Sequence, residues 1–184
     1  MWFGVPQSRE RMIFIGVRED LGIAPSHPKA ESRPVTVRQA LPCRGDGIIL
    51  PEKYKVVWQA TPQGKSFGDG NERLTGKQTS FAAKRIHPDR PSNAVTKQIM
   101  LGLSGLHRWD EPRLLSAREI KSVASYPAPF SFASGDTSKL GGYRLVIERI
   151  GNSVPPLFMR AIALHVRREV LDMTPVLTGD NSHA

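Results

Sequence analysis

The chain has 184 residues, of which 39% are hydrophobic, 23% charged and 7% aromatic, enough to bury a core of one or at most two domains. Its single cysteine, Cys43, excludes an internal disulfide, and the histidines at 27, 87, 107, 165 and 183 form no metal-ligand spacing with it. The longest apolar runs are far short of a membrane span, no leader pattern precedes them, and the compartment reads as cytosolic.

Charge is distributed unevenly. Residues 1–28 and 151–184 each balance three basic against three acidic side chains, so the formal charge of +9 lies between 29 and 150. A pI near 10.1 points to a polyanionic partner or to a generally basic, soluble surface, and charge alone does not choose between them.

Strand-like sequence begins almost at residue 1, as in a fragment or one subunit of a split protein. Residues 12–17 (MIFIGV) form a short β-branched and aromatic run that predicts a buried strand, preceded by Arg9 and Arg11. Between 19 and 64, Pro25, Pro28, Pro34, Pro42, Pro51 and Pro62 exclude a long helix, with one helical turn expected over 35–41. The stretch 64–78 (GKSFGDGNERLTGKQ) is polar and Gly-rich, which predicts exposed loops or a hairpin.

Ser116 and Glu119 have capping-box spacing, predicting a short helix to about residue 125, ended by Pro127 and Pro129. A strand is expected over 143–147. Ser153 as cap, with Pro155 and Pro156 in the first turn, predicts a last helix of about 18 residues whose start is deeply buried. The tail 174–184 reads as frayed.

Three segments, in order, resemble the C-terminal half of the DNA cytosine-5 methyltransferase family. FGVPQSRER at 3–11 is similar to the family's G-x-P-Q-x-R-x-R motif. RLLSARE at 113–119 is similar to its R-x-L-T-x-R-E block, and IGNSVPP at 150–156 to the G-N-[SA]-V-P-P motif that opens its last helix. Departures accompany them. Residues 121–130 (KSVASYPAPF) replace the usual R-L-Q-G-F-P-D-x-F, and 91–96 (PSNAVT) stands where many members show P-S-x-T-[IL]-T.

The resemblance implies an α/β chain, α+β as an isolated piece. Residues 1–20 supply a strand to a Rossmann-like S-adenosylmethionine-dependent methyltransferase sheet, and 21–112 form a loop-rich, mostly β target recognition region. Residues 113–173 then return to the catalytic domain, and 174–184 trail as a tail.

The family's nucleophile, a cysteine in a Pro-Cys-Gln context, is absent, as are the Glu of its E-N-V motif and its Gly-rich cofactor loop. Cys43 follows the Gln-x-Arg-x-Arg segment instead of preceding it and has no neighbouring base, so it reads as a structural or unreactive thiol.

By resemblance, Arg11 faces the flipped cytosine with Arg9 in support, and two guanidiniums at alternate strand positions suit one shared anionic or carbonyl-bearing ligand. The other reading is a pair of surface arginines on an edge strand. Asn152 and Ser153 close over the S-adenosylmethionine pocket, a role added to the ordinary helix cap. Arg113 and Glu119 read as architectural.

Residues 61–110 hold eight basic and four acidic side chains, and Lys65, Arg73, Lys77, Lys84 and Arg85 are the expected contacts to double-stranded DNA. No metal is expected. Two functions compete: the recognition and C-terminal part of a methyltransferase, inactive until joined to its N-terminal catalytic half, or a stand-alone basic DNA-binding module.

Overall fold

The computed structural model describes residues 2–30, 32–41, 46–80, 82–100, 103–132 and 135–173. Cys43 and the tail 174–184 lie outside the described residues. Helices α1 (Val37–Ala40), α2 (Glu52–Ala60) and α3 (Phe67–Thr75) precede α4 (Ala117–Val123), α5 (Leu140–Asn152) and α6 (Pro156–Val166). Four short strands pair in two parallel ladders: β1 (Gln7–Ser8) with β3 (Ser92–Asn93), and β2 (Ala82–Arg85) with β4 (Ser104–His107). This is the mixture of helices and small parallel sheets of an α/β chain.

Local chemistry bounds several of these helices. Thr36 and Gln39 close a capping box on α1, the turn expected between the prolines. Helix α2 fills the space between Pro51 and Pro62. Ser116 and Glu119 cap α4 as their spacing predicts.

The stretch 64–78 is not a hairpin. Ser66 and Asp69 form a capping box there, and Phe67 is fully buried at the start of α3. Its glycines permit close packing: a Cβ on Gly70 would sit 2.1 Å from Thr61 Oγ1, and one on Gly68 would sit 2.2 Å from the Thr79 carbonyl. Residues 21–112 therefore carry three helices beside three short strands, and the mostly β expectation does not hold.

Three further expectations change. Residues 12–17 form neither helix nor strand, among the described residues no strand pairs with them, and Met12 and Phe14 are 81% and 86% exposed. A strand needs a neighbour to satisfy its backbone and cover its face. Residues 143–147 lie inside α5, where Tyr143, Val146, Ile147 and Ile150 are buried at helical spacing. The last helix is capped differently: Ser153 ends α5 with its hydroxyl donating to the Ile150 carbonyl at 2.8 Å, and Pro155 occupies the N-cap of α6.

Ser125, in the left-handed conformation at φ 62, supplies a side-chain oxygen to the α6 first turn by accepting from the Leu157 N–H at 3.2 Å. Leu157 and Met159 remain 37% and 42% exposed, so the start of α6 is not deeply buried. A π-helical turn, Arg167–Leu171, continues it.

The larger apolar cluster joins Val37, Ile86, Val95, Leu106, Leu114, Leu115, Ile120 and the buried face of α5. A smaller one joins Leu50, Trp58, Phe67 and Ala83. The expected boundary at 112/113 falls inside the larger cluster.

Candidate active-site and nucleic-acid surface

The segment 3–11 meets residues 91–96 and 150–156 through β1 and Arg9. β1 sets Gln7 against Ser92 and Ser8 against Asn93 in parallel register. The Arg9 guanidinium then donates to the Val95 carbonyl at 2.9 Å and the Gly151 carbonyl at 2.6 Å. Gly151 is held so close to Lys97 that a Cβ would lie 2.4 Å from its backbone nitrogen. Residues 3–11, 91–96 and 150–156 therefore share one junction. Burial lowers the Arg9 pKa, the Arg11 charge adds to the lowering, and Tyr126 opposes it.

Arg9 and Arg11 do not act as a free pair. Arg9 is committed to two carbonyls, whereas Arg11 is exposed and donates to the Glu10 carbonyl at 2.6 Å. Both line a cleft of about 280 Å3 with Trp2, Phe3, Gln7 and Phe158. Gln7 is 1% exposed, and neither side-chain Nε2 nor Oε1 has a hydrogen-bond partner. Sequence reasoning missed this buried amide, because nothing in the pattern separates a paired glutamine from an orphaned one.

The segment 113–119 is architectural. Arg113 grips Glu119 with two N–H groups at 2.7 and 3.0 Å, Arg108 adds a third at 2.5 Å, and the Ser116 N–H donates at 2.7 Å. All four residues are buried. Burial pushes the Glu119 carboxyl up, and Arg113, the Ser116 N–H and Arg108 outweigh it, leaving the pKa lowered. Arg108 is the member that the sequence reading passed over. It also stacks 4.2 Å from the Trp109 ring.

The basic positions separate. Lys65 is exposed beside Lys84 and Arg85, its carbonyl accepting from the Arg85 N–H at 3.0 Å. Arg73 and Lys77 are exposed at the opposite end of α3. Lys84 is half-buried and lines a cleft of about 230 Å3 with Asn93, Thr96 and Gln98. Arg85 is engaged internally: its guanidinium donates to the Trp58, Thr61 and Trp109 carbonyls and lies 3.9 Å over the Trp58 ring. That geometry holds α2 to the 108–110 turn and commits most of the guanidinium to the protein's own carbonyls.

A family model described as C-5 cytosine-specific DNA methylase matches residues 1–168. The chain belongs to this family. It is 31% identical to the Type II methyltransferase M.BbvI of Brevibacillus brevis, over 84% of this chain and 43% of that protein. Identity is 28% to the Type II methyltransferase M.NgoFVII of Neisseria gonorrhoeae, over 84% of this chain and 44% of the relative. For M.BsuRI of Bacillus subtilis it is 30%, over 88% and 38%. The chain thus spans less than half the length of these curated relatives.

C-5 cytosine DNA methylases act on DNA and take S-adenosylmethionine as methyl donor. In this chain the Ser153 hydroxyl is bonded within its own helix end, and Asn152 is exposed beside an open cleft lined by Lys97, Arg144 and Glu148. Among the described residues no group of three His, Cys, Asp or Glu is arranged to hold a metal ion, and no helix is long and apolar enough to cross a membrane.

Proposed function

We propose that the chain is the target-recognition and C-terminal part of a DNA (cytosine-5-)-methyltransferase of the restriction-modification type, working in the cytoplasm and inactive until joined to an N-terminal catalytic half. The observation that carries this reading is the junction at Arg9, which draws residues 3–11, 91–96 and 150–156 together although no Pro-Cys-Gln nucleophile motif occurs in the sequence. In the joined enzyme Arg11 faces the flipped cytosine, and Arg9 keeps the Arg11 segment in register with the recognition region.

Lys65, Arg73, Lys77 and Lys84 contact duplex phosphates, with sequence read by neighbouring side chains. Asn152 borders the cofactor. S-adenosylmethionine, held mainly by the N-terminal half, supplies the methyl group for cytosine C5.

The reading is tested by methyl transfer from labelled S-adenosylmethionine to duplex DNA, using this chain, the polypeptide encoded immediately upstream, and their mixture. Activity is expected only in the mixture, together with weak, steeply salt-dependent DNA binding by the isolated chain. Methyl transfer by the chain alone overturns the proposal. A mixture that stays inactive while the isolated chain binds DNA favours the stand-alone binding module.

A further inference from the structure

We propose that Gln78 and Gln98 are specificity-determining residues, each reading one adenine edge in the major groove, with Lys77 and Lys97 beside them on the flanking phosphates. This assignment rests on the recognition reading above and names the side chains that carry it.

Topology brings the two glutamines together. β2 and β4 run parallel and start in register, Ala82 against Ser104, so the segments that lead into them meet the ladder at the same end. Each segment carries a Lys-Gln dipeptide, 77–78 in one and 97–98 in the other, and all four residues are exposed. Met100 and Ser104 hold the second segment to that end: the Met100 N–H donates to Ser104 Oγ at 2.6 Å, and the Ser104 N–H to the Met100 carbonyl at 2.8 Å.

Both glutamines are presented by anchored backbone. Residues 77–79 fold back along α3, where Asn71 Nδ2 donates to the Lys77 carbonyl at 2.8 Å and a Cβ on Gly68 would lie 2.2 Å from the Thr79 carbonyl. In the second segment a Cβ on Gly151 would lie 2.4 Å from the Lys97 nitrogen, and Ile99 is buried in the larger apolar cluster. The Thr96 hydroxyl donates to the Gln98 carbonyl at 3.2 Å. Each glutamine thus stands between two fixed neighbours, and its backbone is ordered before DNA arrives.

The side-chain chemistry selects the base. A carboxamide offers a donor and an acceptor side by side, the complement of adenine N6 and N7. Among the described residues, neither the Gln78 nor the Gln98 amide has a hydrogen-bond partner. Gln7 is buried and Gln39 is spent on the α1 capping box. Gln63 lies at the opposite end of β2, where the Gly64 N–H donates to the Arg85 carbonyl at 2.6 Å. An exposed lysine supplies a point charge for phosphate, which positions the chain without reading sequence.

The test selects duplexes with a randomised central stretch on the purified full chain. Wild type is expected to enrich sequences with two A·T pairs at fixed spacing, each preferred about tenfold. Gln78→Ala is expected to erase the preference at one position and Gln98→Ala at the other, with melting temperatures unchanged because both sites are exposed. Gln78→Glu, left with acceptors only, is expected to turn its position to cytosine, whose N4 donates. Lys77→Ala and Lys97→Ala should weaken binding to all sequences alike, each lowering the salt slope by about one. Gln63→Ala should keep both preferences.

Selected duplexes that lack the two A·T positions overturn the proposal. So does a preference that survives both Gln78→Ala and Gln98→Ala, or one erased by Gln63→Ala. A wild-type chain that binds no duplex at all overturns the recognition reading itself, an outcome distinct from the others.

Discussion

Residues 37–150 and the two ends of the chain differ in whether their apolar side chains join a shared cluster. Every member of both apolar clusters lies between Val37 and Ile150, and Val37, Phe67, Ile86, Leu114, Leu115 and Val123 are fully buried there. Both regions also expose apolar side chains, Ile49, Val56 and Met100 in the middle and Trp2, Met12, Phe14 and Leu171 at the ends. The ends bury only Val5, Ala161, Ile162 and Val170, outside the clusters, although their sequences are no less apolar. Hydrophobic content alone does not make a core; an element also needs a facing surface. The middle contains its own facing surfaces, and the described ends contribute no member to either cluster.

The largest effects are expected in the middle of the chain. Glu119→Ala leaves Arg108 and Arg113 buried without their shared carboxylate, and a loss of about 3–5 kcal/mol is expected in urea unfolding of the chain. Acid comes next. Burial lowers the His107 pKa to about 4, against partial opposition from the Gly105 and Lys84 backbone, and its ring packs 4.6 Å from that of Phe67.

Because the folded pKa lies below the ordinary value of 6.5, the unfolded chain binds the extra proton between the two. The contribution is complete above pH 6.5 and falls as pH drops toward 4. A loss on the order of 3 kcal/mol is expected over that window. His107→Phe should flatten the profile of unfolding free energy against pH from 6.5 to about 5, before carboxylates with lowered pKa values contribute.

Gly70→Ala drives a methyl group into Thr61 Oγ1 and the Val57 carbonyl, and a destabilisation of about 1–3 kcal/mol is expected in the same denaturant series. The ends give the smallest effect and so sharpen the contrast: Met12→Ser should change the isolated chain's unfolding free energy by less than about 0.5 kcal/mol.

What the sequence made legible follows from how local each cause is. The capping box at Ser116 and Glu119 and the turn between Pro34 and Pro42 depend on neighbours within a few residues, and they were readable. Helix α3 was not, because Gly68 and Gly70 read as turn residues until Thr61 and Thr79 are seen pressed against them. In α5, the run around Tyr143 reads as strand until Ile150 extends its period to that of a helix.

Arg85 shows the same limit for function. A lysine-arginine pair in a basic stretch reads as a DNA contact, and only the fold reveals three carbonyls and the Trp58 ring around the arginine. The meeting of Arg9 with Val95 and Gly151 spans 86 and 142 positions, beyond the reach of any local pattern.

The most direct measurement of the central claim is amide hydrogen exchange on this chain before and after mixing with the upstream-encoded polypeptide. New protection is expected over residues 11–18 and the exposed face of α6, while amides of β2, β4 and α5 exchange as before. No new protection at the ends, or new protection confined to residues 37–150, would contradict it.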